Sequence, residues 1–216
     1  MIKQEKRNSK ILNIVKEHIR KNTKEYMSLF IIFLIGIIIG VIFINYTDEV
    51  YKTQIKDYLI HFSESLNTDY KIDTTELLKS SITNNLILAV CLWFIGSTII
   101  GIPIVYLIVG IKGFSLGYTI SSIMVTYPFW KGILFTLLSL FIQNLIFIPC
   151  LLALGVSGIK LYKSIIKDKR RDNIKLEILR HTIFSAFITI FLVLSSFLEV
   201  YISSKMISLF IKSFVT

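Results

Sequence analysis

The chain has 216 residues, 54% of them apolar and only 18% charged, with a mean hydropathy of +0.69, which excludes an ordinary soluble domain. Its formal net charge of +10 would suggest nucleic acid in a soluble protein, but the charges are gathered between long apolar runs, so nucleic acid is excluded as a partner and lipid takes its place. Two cysteines inside apolar runs and three scattered histidines give neither a disulfide framework nor metal-ligand spacing, so no metal and no other cofactor is expected.

Residues 1 to 26 form a basic leader, and its first 25 residues hold eight Lys/Arg against three Glu, a net of +5. Ile11, Leu12, Val15, His18 and Ile19 share a helical face with the cations largely elsewhere. The segment is either an amphipathic helix on an anionic leaflet or a solvated leader that only fixes topology. Span one, residues 27 to 44, is followed by INYTDEV with no small-x-small cleavage site, so it reads as an uncleaved anchor. Residues 45 to 85 form a hydrophilic helical segment, and 45 to 83 hold four Lys against seven acids, a net of −3. Tyr51, Ile55, Tyr58, Leu59 and Phe62 recur at helical spacing there, together with Val50 and Leu66. A segment this short cannot hold a core, so that face packs on the spans, on a second copy or on a partner, and these five residues are the candidate partner contacts. Asp73 and Glu76 read as a capping box for the helix that follows.

Span two covers residues 86 to 111 and contains Gly101 and Pro103, the proline predicting a kink. Lys112 with Gly113 reads as a complete cytoplasmic turn, and span three follows at 113 to 127, closed by Pro128. Span four, 132 to 155, carries Gln143 and Asn144 at its centre, where side-chain amides must face protein, and Pro149 below them. The loop from 160 to 181 holds eight Lys/Arg against three acids, again +5. Span five, 182 to 204, contains Glu199, the one carboxylate in any span and by default a functional residue, its plainer alternative being a packing hydrogen bond. Residues 205 to 216 complete the chain as a tail.

These runs predict an all-α integral membrane protein of five transmembrane helices, since backbone amides in lipid must be satisfied within each segment and the polar breaks are too widely spaced for barrel strands. Basic segments remain cytoplasmic, which places the N-terminus inside, residues 45 to 83 outside, the 160 to 181 loop inside and the C-terminus outside. Gly36 with Gly40, and Gly113, Gly117 and Ser121, are small-x-x-x-small series that bring helices close within one chain or across a homodimer. Gly155-Val156-Ser157-Gly158 matches the G-x-S-G of rhomboid-type proteases, and His181 falls on the same side. That match fails on position, both residues lying at the basic interface with nothing evident to fix the histidine tautomer, so no catalysis is expected. A small-solute transporter acting as a dimer is the rival reading, since mid-membrane amides can line a path.

Four motifs then converge: G-I-P at 101 to 103, K-G-F-S-L-G-Y-T at 112 to 119, Q-N-L-I-F-I-P at 143 to 149, and L-E-V-Y-I-S at 198 to 203. Together and in order, they make the chain resemble the stage II sporulation protein M family, over nearly its whole length. The resemblance implies a non-catalytic scaffold in the mother-cell membrane and septum of a sporulating bacterium. There it would hold stage II sporulation proteins D and P, which cut peptidoglycan, during engulfment. Gly101, Pro103, Lys112, Gly113, Gly117, Gln143, Asn144, Pro149 and Glu199 match its motif positions, with no chemistry attached to any of them.

Overall fold

The computed structural model describes residues 17, 19–67, 74–98, 101–167, 171–203 and 205–206, with the backbone alone at 62–67, 167 and 171–173. Among the described residues the ordered elements are all helical, with no strand. They are α1 (Thr23–Tyr46), α2 (Glu49–Asn67), α3 (Thr74–Gly96), α4 (Gly101–Thr126), α5 (Phe129–Thr136), α6 (Ile142–Lys167) and α7 (Arg171–Leu198). A π-helical stretch, Leu137–Phe141, joins α5 to α6, and a second, Glu199–Ser203, extends α7. Five helical segments are long and apolar enough to cross a membrane: Thr23–Tyr46, Thr74–Gly96, Gly101–Thr126, Phe129–Ile166 and Ile174–Ser203. The five-helix, all-α expectation is met.

The boundary between spans two and three is not where the sequence suggested. Lys112 and Gly113 form no turn: both lie inside the continuous 26-residue α4, and the chain reverses after Gly96 instead. The helix ends there because Ser97 and Thr98 turn their hydroxyls onto Trp93 O and Ile95 O, competing with backbone donors. Gly101 then closes the corner with a backbone hydrogen bond to Thr98 O, and a Cβ on it would meet Ile95 O at 2.0 Å. Pro103 consequently sits in the first turn of α4, where its missing N–H would have no intrahelical acceptor, so it starts a helix and does not kink one. Span three has 26 residues, not the 15 expected, and needs no special explanation of its length. Most of the leader, and Asp73 of the expected capping box, lie outside the described residues.

Helices α1 and α4 run parallel and form the most extensive helix–helix contact among the described residues. A Cβ built on Gly36 would meet Gly110 O at 2.3 Å, one on Gly40 would meet Phe114 O at 2.3 Å, and one on Gly117 would meet Ile37 O at 2.1 Å. The small-residue series is therefore used within the chain, letting two backbones touch where lipid removes the hydrophobic drive for association. Ser28 and Tyr106 hydroxyls, 2.6 Å apart, and the Phe43–Phe114 edge contact tie the two ends of this pair. Helices α3, α6 and α7 pack on one another as the other half of the bundle, with Gly96 of α3 against Gly158 of α6. Leu29, Leu92, Val105, Leu151, Leu154 and Leu192 are fully buried between the halves. Ile38, Phe94, Leu107 and Ile183 point outward, as lipid-facing side chains do.

Candidate functional site

Helix α4 carries Lys112, Ser115, Thr119 and Ser122 at steps of three, four and three residues, a single polar stripe on the face turned away from α1. Facing the stripe are α3, the first turns of α6 and the end of α7, and between them lies a cavity of about 250 Å³. Its lining joins Lys112, Gln143, Asn144 and Glu199 with Ser81, Asn84, Asn85, Ser115 and Thr119, so four residues singled out from sequence, far apart in the chain, meet in one place. Lys112 stands 11 residues into the 26-residue α4, about 16 Å along the axis, so it enters the cavity near the middle of that helix.

Each wall is built locally. The π-helical stretch before α6 displaces the register of the backbone, and Asn144 donates its amide to Leu140 O, inside that stretch, at 2.8 Å. Pro149 lies within α6, five residues beyond Asn144, and does not line the cavity. Ser195 Oγ donates to Gln143 O at 3.2 Å, fixing α7 against the same turn. Asn85 is spent on structure, donating to Ser196 Oγ at 2.8 Å and Leu192 O at 3.3 Å. Glu199 opens the second π-helical stretch and accepts a short hydrogen bond from Ser81 Oγ of α3. Lys112 Nζ lies 5.7 Å from the centroid of the Phe147 ring, a cation–π contact. Among the described residues Lys112 and Glu199 form no ion pair, although they line one cavity.

Toward the far end of α4 the space widens into an apolar groove of about 510 Å³ roofed by α2. Tyr51, Ile55, Tyr58 and Leu59 line it from above, opposite Tyr118, Ser122, Ile123, Phe135 and Leu140. The Tyr51 and Tyr118 hydroxyls approach to 3.3 Å and fasten the roof to α4. Part of the expected α2 face thus turns onto the spans, Ile55 and Leu59 being half-buried, while Tyr58 and Val50 stay 71% and 73% exposed. The side chain of Phe62 lies outside the described residues.

The Ser157–His181 pair corrects a sequence argument. His181 is buried, with Nδ1 2.8 Å from Ser157 Oγ and Nε2 3.3 Å from Trp93 O, so a backbone carbonyl does fix the ring: Nε2–H donates to it and Nδ1 accepts from the serine. Trp93 Nε1 also donates to Thr182 Oγ1 at 3.1 Å, so the group locks α3, α6 and α7 together. Ser157 lies in the interior of α6, where backbone N–H groups are bonded along the helix, so the arrangement offers no oxyanion donors beside its hydroxyl.

Of the remaining motif residues, Gly113 and Gly117 face α1, Gly101 and Pro103 start α4, and none of these lines the cavity. Sequence reasoning missed Ser81, Asn84, Asn85, Ser115 and Thr119; the stripe that contains Ser115 and Thr119 was legible from its helical spacing once Lys112 is placed inside a helix. Among the described residues no three His, Cys, Asp or Glu side chains cluster to hold a metal.

The model of the family described as stage II sporulation protein M matches residues 29–204, from the first turns of α1 to the last π-helical stretch. No curated protein and no solved structure matches the chain.

Proposed function

The chain belongs to the stage II sporulation protein M family, a sporulation-related, multi-pass membrane protein, and from that premise we propose that it is a non-catalytic scaffold that anchors peptidoglycan hydrolases during engulfment. Stage II sporulation proteins D and P are the proposed partners, and the mother-cell membrane and septum the proposed site. The observation that carries this reading is the apolar groove under α2, lined by Tyr51, Ile55, Tyr58 and Leu59. The acidic excess of residues 45 to 83 against the basic leader and the basic 160 to 181 loop supports an orientation in which α2 and the groove mouth look toward the wall. A membrane-anchored hydrolase would lay the apolar residues next to its anchor into the groove, while the exposed Tyr58 meets its extracytoplasmic domain.

The test is co-purification from sporulating cells. Tyr51→Ala combined with Ile55→Asp is expected to leave the chain inserted and monodisperse in detergent, and to remove the two hydrolases from the tagged complex. Retention of both hydrolases at parental amounts by that inserted variant rules out the groove as their docking surface.

A further inference from the structure

The apolar groove fits a scaffold, but the polar cavity beside it has no task in that reading. Asn84 and Ser115 are exposed and Lys112, Gln143 and Glu199 half-buried, so the cavity is open enough for a small molecule to enter. A bundle that only needed to pack would fill this space with side chains or close its charges on each other, because charge within membrane-spanning helices is costly. Neither has happened. The cavity holds about 250 Å³, several times the roughly 30 Å³ that a water molecule takes in the liquid. Lys112 enters it from α4 with only a ring contact to Phe147. Glu199 enters it from the end of α7 with one carboxyl oxygen held by Ser81. The two are not ion-paired, and Gln143 and Asn84 also line the space with no hydrogen bond from their side-chain amides among the described residues.

We propose that this cavity binds a free α-amino acid, its carboxylate received by Lys112 and Gln143 and its ammonium by Glu199 and Asn84. An ammonium and a carboxyl group that line one small cavity without pairing are complementary to a molecule that carries both opposite charges on groups bonded to one carbon. A simple anion would leave the Glu199 side uncompensated, and a simple cation the Lys112 side. Leu116 and Phe147 supply the apolar part of the lining for a small side chain. The inference stands apart from the hydrolase-recruiting reading, and either can fail without the other.

The experiment uses the full chain in lipid nanodiscs with tritiated probes: the twenty protein amino acids, D-alanine and D-glutamate. Saturable binding of at least one is expected, weakened at least tenfold by Lys112→Met and by Glu199→Gln. The corresponding amine and carboxylic acid, each lacking one charge, should not compete. Should either variant fail to fold, Thr119→Cys in a Cys91→Ser, Cys150→Ser background gives a second measurement, since the bound amino acid should slow thiol labelling at that position at least fivefold. Absence of saturable binding across the panel overturns the proposal, as does binding that both substitutions leave unchanged. Labelling of Thr119→Cys that slows only when a partner protein co-purifies also overturns it, and assigns the cavity to a partner's transmembrane helix.

Discussion

Substitution of the α4 glycines separates close packing from helix propensity. Gly110, Gly113 and Gly117 lie on one helix and share a composition, but they differ in what an added methyl group would meet. At Gly113 a Cβ would stand 2.2 Å from Phe33 O, and at Gly117 2.1 Å from Ile37 O, both backbone atoms of α1. At Gly110 the nearest atom is a side-chain carbon of Ile32 at 3.5 Å, an ordinary contact. A carbon and a carbonyl oxygen need more than 3 Å, so Gly113→Ala or Gly117→Ala must push α1 and α4 apart by roughly 1 Å along a contact of several turns, since a backbone cannot rotate away as a side chain can. Overpacking of this kind costs about 1–3 kcal/mol per site. Gly110→Ala gains helix propensity instead, up to about 1 kcal/mol in the favourable direction. Equilibrium unfolding of the purified chain in mixed micelles at rising SDS fraction measures all three. Gly113→Ala and Gly117→Ala should unfold earlier than the parent, and Gly110→Ala at the same point or later. Equal behaviour of the three variants would refute the close-packed α1–α4 pair.

Three further outcomes follow from the geometry. Pro103→Ala should lower stability by no more than about 1 kcal/mol and leave the helical content unchanged, because a first-turn proline acts mainly by restricting the unfolded chain; a larger loss in circular dichroism and denaturation would restore the kink. Ser157→Ala removes the donor to His181 Nδ1 and leaves a buried ring nitrogen unmatched, costing about 1–3 kcal/mol by the same unfolding assay while partner co-purification is unaffected; a loss of partners with stability intact would give the pair a functional task instead. With Cys91 and Cys150 replaced by serine, Ser97→Cys should react in inverted vesicles with a membrane-impermeant maleimide, as should a cysteine in the 160 to 181 loop, whereas Ile111→Cys should not, since it faces outward from the interior of a continuous helix and does not line the cavity. Fast labelling of Ile111→Cys would put the turn back where the sequence suggested it.

The fold class was legible because hydropathy and length alone identify membrane helices, and the number of helices follows from charge bias in the long polar segments. What misled the reading was Lys112. A single lysine between two glycines in an apolar run has two physical explanations, a turn that exposes the charge to water or a helix that turns it into a polar cavity, and the one-dimensional pattern is the same for both. The deciding information lies in residues 31 positions or more away: Gln143 and Asn144 on α6, Ser81 on α3 and Glu199 just past the end of α7 provide the polar surroundings. The glycines were ambiguous in the same manner, since Gly113 serves a turn or a helix contact equally well until Phe33 is placed against it. The Ser157–His181 contact was visible only as a motif, because the carbonyl that orients the ring belongs to Trp93, and backbone acceptors leave no mark in a sequence.

The position of the cavity follows from how α4 is shared. One face gives its glycines to α1, and backbone contact of that kind tolerates no displacement, so α1 and α4 move as one wall. The opposite face carries Lys112, Ser115, Thr119 and Ser122, none of them long enough in apolar atoms to fill the space toward α6, and Lys112 alone long enough to reach across it. On the other side, the two π-helical stretches touch each other, the first leading into α6 and the second continuing from the end of α7. A π-helical turn widens a helix by one residue and leaves backbone carbonyls open to side-chain donors, which Asn144 and Ser195 take up nearby at Leu140 O and Gln143 O. The cavity therefore sits where a rigid pair meets a deformable trio, and straightening either π-helical stretch by deleting one residue, Leu138 or Val200, should close it. Loss of amino-acid binding in a deletion variant that still folds and still recruits hydrolases would separate the two sites; loss of both together would show that the groove under α2 and the cavity share one support.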